Sequence, residues 1–263
     1  MNCKGEKKLI SEDIIAGRNP VREALRANRA VNKVLIAGGA LSGPLKEIFN
    51  LAGVKNIPVQ VVDRRRLDKF VPGAVHQGVV ALAAAREYVA LDDLIAGVGP
   101  GEEPFVFVLD QMHDPHNLGA VLRTADAAGV HGVIVPRHRS ARLTPAAAKA
   151  SAGAVEYVPV ARVANIARTL DFLKTKGFWV AGADAQGREI FWDARLDGPL
   201  ALVIGGEDKG LGRLVKERCD ILVRVPMSGR VNSLNASVAA ALLAYEVLRQ
   251  RRMNLNEAGI SHS

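Results

Sequence analysis

From Pro104 onward, short apolar runs alternate with helical stretches, and that alternation leaves few architectures open. FVFVL (105–109), GVIVP (132–136), FWVAGA (178–183), LALVI (200–204) and ILVRV (221–225) are continuous apolar runs. Such runs suit strands buried on both faces. Helical stretches fall at 120–129, after Thr144-Pro145, at 163–176 and at 211–219, and one long helix closes the chain. Strand and helix in alternation predict an α/β fold with a mostly parallel sheet and helices on both faces.

A smaller α/β unit precedes this region, over residues 14–84. GRNPVREAL (17–25) reads as a helix with Asn19 as N-cap and Pro20 at its first position. KVLIAG (33–38), PVQVVD (58–63) and HQGVVALAA (76–84) read as strands, and 43–53 and RRRLDKF (64–70) as helices. Residues 1–13 read as a tail. Residues 85–103 turn acidic and glycine-rich and end in Gly-Pro-Gly, as a linker does. Residues 104–252 form the second domain, and 253–263 a second tail.

The net charge of +8 is concentrated in the first module. Residues 1–75 hold 14 Lys/Arg against 7 Asp/Glu, and the remainder 21 against 20. A basic module on a near-neutral body favours a polyanionic partner, nucleic acid above all, over a merely solvated surface. Arg18, Arg64, Arg65 and Arg66 are candidate phosphate contacts, as are Arg137 and Arg139 on a loop of the second domain. Phe49 and Phe70 are the only aromatic residues of the first module, which argues against recognition by base stacking. No apolar run reaches the ~18 residues of a membrane span, and MNCKGEKKLISED lacks the apolar core of a signal peptide. Cys3 and Cys219 form no metal-spaced pair, and Cys219, between a helix and a strand, reads as a structural thiol. A cytoplasmic protein is expected.

In a parallel sheet, ligands sit beyond the carboxyl ends of the strands. Three loops there carry functional side chains: DQMHDPHNLGAVLR (110–123), IGGEDKGLG (204–212) and VPMSGRVNSLN (225–235). The glycine loop is no Walker loop, because Leu211 and Gly212 stand where Lys and Ser/Thr are needed. Glu207 and Asp208 would repel a phosphate. The loop reads instead as built for close backbone approach to a ligand that is not strongly anionic, or as a plain glycine turn. His113 and His116 lie near Asp110 and Asp114 without an evident third ligand, so no metal is expected. Arg123 sits among apolar helix residues, where a salt bridge or a snorkelling side chain is its ordinary role. Behind the third loop the helix is apolar almost all round, as in a core or a subunit contact, with Ser233 or Asn232 as its N-cap.

DPHNLGAVLRTADAAG, LVIGGEDKGLG and VPMSGRVNSLNASVA, in this order, resemble the three motifs of the SpoU class of RNA 2′-O-ribose methyltransferases. GRNPVREAL and HQGVVA resemble that family's small substrate-binding domain, which is similar to L30e-type RNA binders. The likeness runs from about Ile14 to Arg251, and among subgroups it is closest to the enzymes that methylate a guanosine of 23S rRNA. The resemblance implies a trefoil knot, a homodimer and S-adenosylmethionine as cofactor, without a metal. It implies cofactor contacts at Gly205, Gly206, Val225, Met227 and Leu234. It implies a catalytic set of Asn117, Arg123, Glu207, Ser233 and Asn235. Asn232 stands where some relatives carry an acid, and Ala236 replaces a frequent valine. A tRNA methyltransferase, a non-catalytic ribosome-associated RNA binder and a nicotinamide-dependent oxidoreductase are the alternatives, the last weakened by the missing dinucleotide fingerprint.

Overall fold

A computed structural model of the chain describes residues 12–39, 43–73, 75–84, 86–138, 140–207 and 209–257. It divides into two compact units, 1–87 and 88–263.

The first unit runs β1 (Glu12–Ala16), α1 (Arg18–Arg26), β2 (Val31–Ala37), α2 (Pro44–Val54), β3 (Val59–Val62), α3 (Arg64–Phe70) and β4 (Val79–Ala84). Its sheet has the order β1-β4-β2-β3. Alternate residues of β2 and β4 serve opposite faces. Val34, Ile36, Val79 and Ala81 pack on Val21, Leu25 and Ile48 of the helices, while Leu35 and Val80 pack on Leu67 of α3. β1 begins inside the stretch expected as a tail and is held by antiparallel pairing with β4. Asn19 is not the cap of α1. The helix starts at Arg18 behind Gly17, whose φ of +104° suits glycine, and the Arg18 N–H is taken by Gln77 Oε1 at 3.1 Å. A residue distant in sequence thus supplies what a local cap would have.

The second unit runs α4 (Leu91–Ala96), β5 (Phe105–Asp110), α5 (Pro115–Ala127), β6 (Gly132–Pro136), α6 (Pro145–Ala150), a 3-10 turn (Ala154–Glu156), β7 (Val160–Val163), α7 (Ile166–Thr175), β8 (Trp179–Ala183), β9 (Glu189–Ile190), β10 (Leu200–Gly205), α8 (Arg213–Arg218), β11 (Ile221–Arg224) and α9 (Ala236–Glu257). The sheet order is β7-β6-β5-β10-β8-β11-β9, and every pairing is parallel. β5 is buried at all six positions. Phe105, Phe107 and Leu109 face one layer, with Leu122 of α5 and Leu243 of α9. Val106 and Val108 face the other, with Leu170 of α7 and Val215 of α8. Helices therefore cover both faces, as the continuous apolar runs predict.

Further boundaries differ from the sequence reading. From Tyr88 on, the stretch expected as a linker packs on the second unit: Val89 bridges to Ala161, and Leu94 is buried against Gly132, where a Cβ would lie 2.6 Å from it. The helix expected over 163–176 starts at Ile166, because Asn165 caps it by accepting the Arg168 N–H at 3.0 Å. The residues before the cap extend into β7.

α9 buries Ala236, Ala240, Leu243, Ala244 and Val247 and leaves Val238, Leu242 and Tyr245 exposed as a stripe on its other side. Near its end, the Arg251 guanidinium donates to the carbonyls of Glu103, Pro104 and Gly198 at 2.8, 3.0 and 2.8 Å. Among the described residues no helix is long and apolar enough to cross a membrane.

Candidate active site

The carboxyl ends of β5 and β10 lie in register, with Gly205 beside Asp110. Asp110 is buried and accepts the Gly212 N–H at 2.8 Å, which anchors the far end of the glycine loop. Gly206 and Gly210 form a bridge, with the Gly210 N–H on the Gly206 carbonyl at 2.9 Å and Gly210 at φ +59°. A Cβ at Gly205 would lie 2.3 Å from the Gly210 carbonyl carbon, and one at Gly206 would lie 2.2 Å from the Gln111 carbonyl oxygen. The close backbone approach expected toward a ligand is, at these two atoms, an approach to other protein backbone. Gln111 itself is held at φ +58°, a costly conformation for a residue with a side chain.

Three side chains, one from each of the three motif segments, converge here. Glu207 Oε1 accepts the Asn117 side-chain amide at 2.8 Å and also the amide of Asn235, which in turn lies 3.0 Å from Asn117 Oδ1. Asn117 lies in the first turn of α5, not in a loop, because Asp114 caps that helix through the His116 N–H. Asn235, and neither Ser233 nor Asn232, caps α9. Its Oδ1 accepts the N–H groups of Ser237 and Val238 at 2.9 and 3.3 Å and the Ser237 hydroxyl at 2.6 Å.

Two cavities adjoin this network. The first, of about 320 Å³, is lined by Gly205, Gly206, Val225, Met227 and Leu234, all five residues expected at the cofactor, and also by Glu207 and Ser233. The sequence reading missed its fourth wall, the turn Asp184–Gln186 after β8. There the Asp184 carboxylate takes the Gln186 N–H at 2.9 Å and pairs with Lys216 of α8 at 2.5 Å. Its position at the carboxyl end of a strand was the available signal. The second cavity, of about 480 Å³, is lined by Gln111, Met112, His113, Asp114 and Asn117 and shares Glu207, Lys209 and Ala236 with the first.

Arg123 does not join this constellation within the chain. It is exposed on α5 and lines neither cavity. Six residues past Asn117, it points about 120° around the helix from it. In the first unit, Arg18 Nε donates to the Gln77 carbonyl at 3.1 Å. Arg64, Arg65 and Arg66 are exposed in the first turn of α3, where the positive helix end disfavours cations. Arg137 is exposed, and Arg139 lies outside the described residues. Burial pushes the Cys219 thiol up to about 12, and its Sγ donates to the Val215 carbonyl at 3.3 Å, so it is no nucleophile at neutral pH.

Residues 104–245 match the SpoU rRNA Methylase family. The chain belongs to that family. Residues 14–89 match the family's RNA 2′-O ribose methyltransferase substrate binding domain. A Bacillus subtilis protein assigned to the TrmH family of tRNA/rRNA methyltransferases, YacO, is 51% identical over 240 residues, 91% of this chain and 96% of its own. The SpoU methyltransferase AviRb of Streptomyces viridochromogenes, solved with its cofactor AdoMet, superposes with a TM-score of 0.76 at 27% identity over 92% of this chain and 91% of that one. An AdoMet-bound rRNA methyltransferase of Sinorhizobium meliloti gives a TM-score of 0.73 at 25% identity over 90% and 87%. The nicotinamide alternative falls with these matches. In this SpoU-family methylase, the expected second-motif and third-motif residues Glu207 and Asn235 meet the first-motif Asn117 in one hydrogen-bonded cluster.

Proposed function

We propose that the chain is an S-adenosylmethionine-dependent enzyme that methylates a ribose 2′-hydroxyl, that of a guanosine in 23S rRNA. The observation that carries this reading is the Asn117–Glu207–Asn235 cluster standing between two adjoining cavities. The first cavity suits the cofactor. Val225, Met227 and Leu234 give it apolar wall, and the Glu207 carboxylate at its lip suits a sulfonium cation. Its size falls in the range of small-molecule sites, and Gly205 and Gly206 are packed against protein backbone and not arranged as a phosphate cradle.

Bound there, the cofactor would supply an electrophilic methyl group on a cationic sulfur. The chain's own residues must hold the hydroxyl in line with that methyl and ease the proton's departure. Asn117 and Asn235 fix the Glu207 carboxylate, and Ser233 lines the cofactor cavity with it. Arg123 carries a guanidinium whose fork of donors suits an oxyanion. Its role is to orient the 2′-hydroxyl and a neighbouring phosphate, which it does from a second copy of the chain. The exposed apolar stripe of α9 supports that homodimer. Residues 104–252, with the family's knot, carry the reaction. The basic residues of 14–84, Arg64 to Arg66 foremost, hold the RNA.

The relatives' assignment to tRNA/rRNA methylation keeps tRNA as the second reading. Radiolabelled methyl transfer to 23S rRNA fragments and to tRNA transcripts, with the modified ribose mapped, separates the two. Label on a 23S guanosine is expected. Label on tRNA alone would overturn the rRNA assignment, and calorimetry without any S-adenosylmethionine binding would overturn the enzyme itself. Arg123→Ala should lower single-turnover transfer by about 100-fold or more, the range for a positioned catalytic group.

A further inference from the structure

Lys209 stands on the lip that the two cavities share. The Gly206–Gly210 bridge fixes the turn that carries it. The side chain is exposed, and it makes no ion pair with any described residue. The nearby carboxylates have other donors. Glu207 Oε1 takes the two asparagine amides, Asp114 takes the His116 N–H, and Asp110 takes the Gly212 N–H.

The second cavity otherwise presents two carboxylates, Asp114 and Glu207, beside His113. Lys209 is the one permanent cation among its described lining residues. An RNA strand entering there brings a negative charge with every phosphodiester. In RNA the 2′-hydroxyl and the 3′-phosphodiester sit on neighbouring ribose carbons, so a hydroxyl presented at the boundary between the cavities carries its phosphate to the same lip. We infer that the second cavity receives the acceptor nucleotide and that Lys209 holds the phosphodiester next to the acceptor ribose. This rests on the methyl-transfer reading above. Lys209 is a positioning residue: it fixes the register of the strand, and its charge favours loss of the hydroxyl proton. The competing role is to bind the cofactor's carboxylate, since Lys209 borders that cavity too.

The test uses the full chain, with Lys209→Ala and Lys209→Arg. In Lys209→Ala, the KM for the RNA substrate should rise about tenfold, and the slope of log affinity against log salt should fall by about one, as for one lost phosphate contact. The calorimetric Kd for S-adenosylmethionine should stay within about twofold, which also reports an intact fold, and Lys209→Arg should restore RNA affinity and salt slope. A weakened cofactor Kd with unchanged RNA affinity would assign the lysine to the cofactor and overturn the proposal. Unchanged RNA affinity and unchanged salt slope would overturn it as well. Absence of methyl transfer by the unmodified protein on any RNA would sink the methyl-transfer reading, whereas the salt slope tests Lys209 without turnover.

Discussion

Asn235 uses the two ends of one amide for two purposes. Its oxygen caps α9, and its nitrogen donates to Asn117 and Glu207. Asn235→Asp separates them. Aspartate caps as well as asparagine does, but it loses the donor and sets a carboxylate against Glu207. Denaturation in urea should therefore show stability within about 1 kcal/mol of the unmodified protein. Methyl transfer should fall by about 10- to 100-fold, the worth of a hydrogen bond to a charged group. Asn235→Ala should lose both, and equal stability loss in the two variants would contradict the division. The sequence offers three cap-competent residues in four positions, Asn232, Ser233 and Asn235, and local preference cannot choose among them. The choice is made by Glu207 and Asn117, 28 and 118 residues away. Asn19 fails as a cap for the same reason, since Gln77 arrives from the turn before β4.

At the scale of the element, the glycine loop is a packing device. Gly206 lets the strand end pass against the Gln111 carbonyl, and alanine there would place a Cβ 2.2 Å from it. Backbone cannot swing aside as a long side chain can, so Gly206→Ala should lower the urea midpoint by the equivalent of about 2 kcal/mol or more and abolish calorimetric S-adenosylmethionine binding. An unchanged midpoint would mean that the loop after β5 yields. Elements with strong local signals were legible: RRRLDKF is α3 and GVIVP is β6, each at the bounds read from sequence. β1 and β7 were not. EDIIA and VARV are too short to show a period, and each is a strand because a neighbouring strand accepts it, β4 for the first and β6 for the second. The two-residue β9, which pairs only with β11, is a further case.

At the scale of the molecule, one chain gathers Asn117, Glu207 and Asn235 and leaves Arg123 facing elsewhere. A site completed by a second copy predicts complementation. Arg123→Ala and Asn235→Asp proteins, each strongly impaired alone, should reach about a quarter of the unmodified activity when unfolded together and refolded at equal amounts. Half of the two-fold dimers are then mixed, and each mixed dimer has one intact site. No recovery would place Arg123 and Asn235 in the same chain's site. The order of the three motifs was readable from the sequence, but whether a second copy supplies Arg123 was not, because spacing along a chain carries no information about a second chain.

α9 has one further consequence. Asn235 begins it, and Arg251 holds its other end through three carbonyls beside the opposite ends of β5 and β10. The sixteen residue steps from one to the other span about 24 Å of helix. A rod restrained at only one end pivots, whereas this one is clamped at both. The aim of the Asn235 amide thus depends on a grip on the far side of the sheet, and the last turns of the helix steady the Asn117–Glu207–Asn235 cluster although they touch none of it.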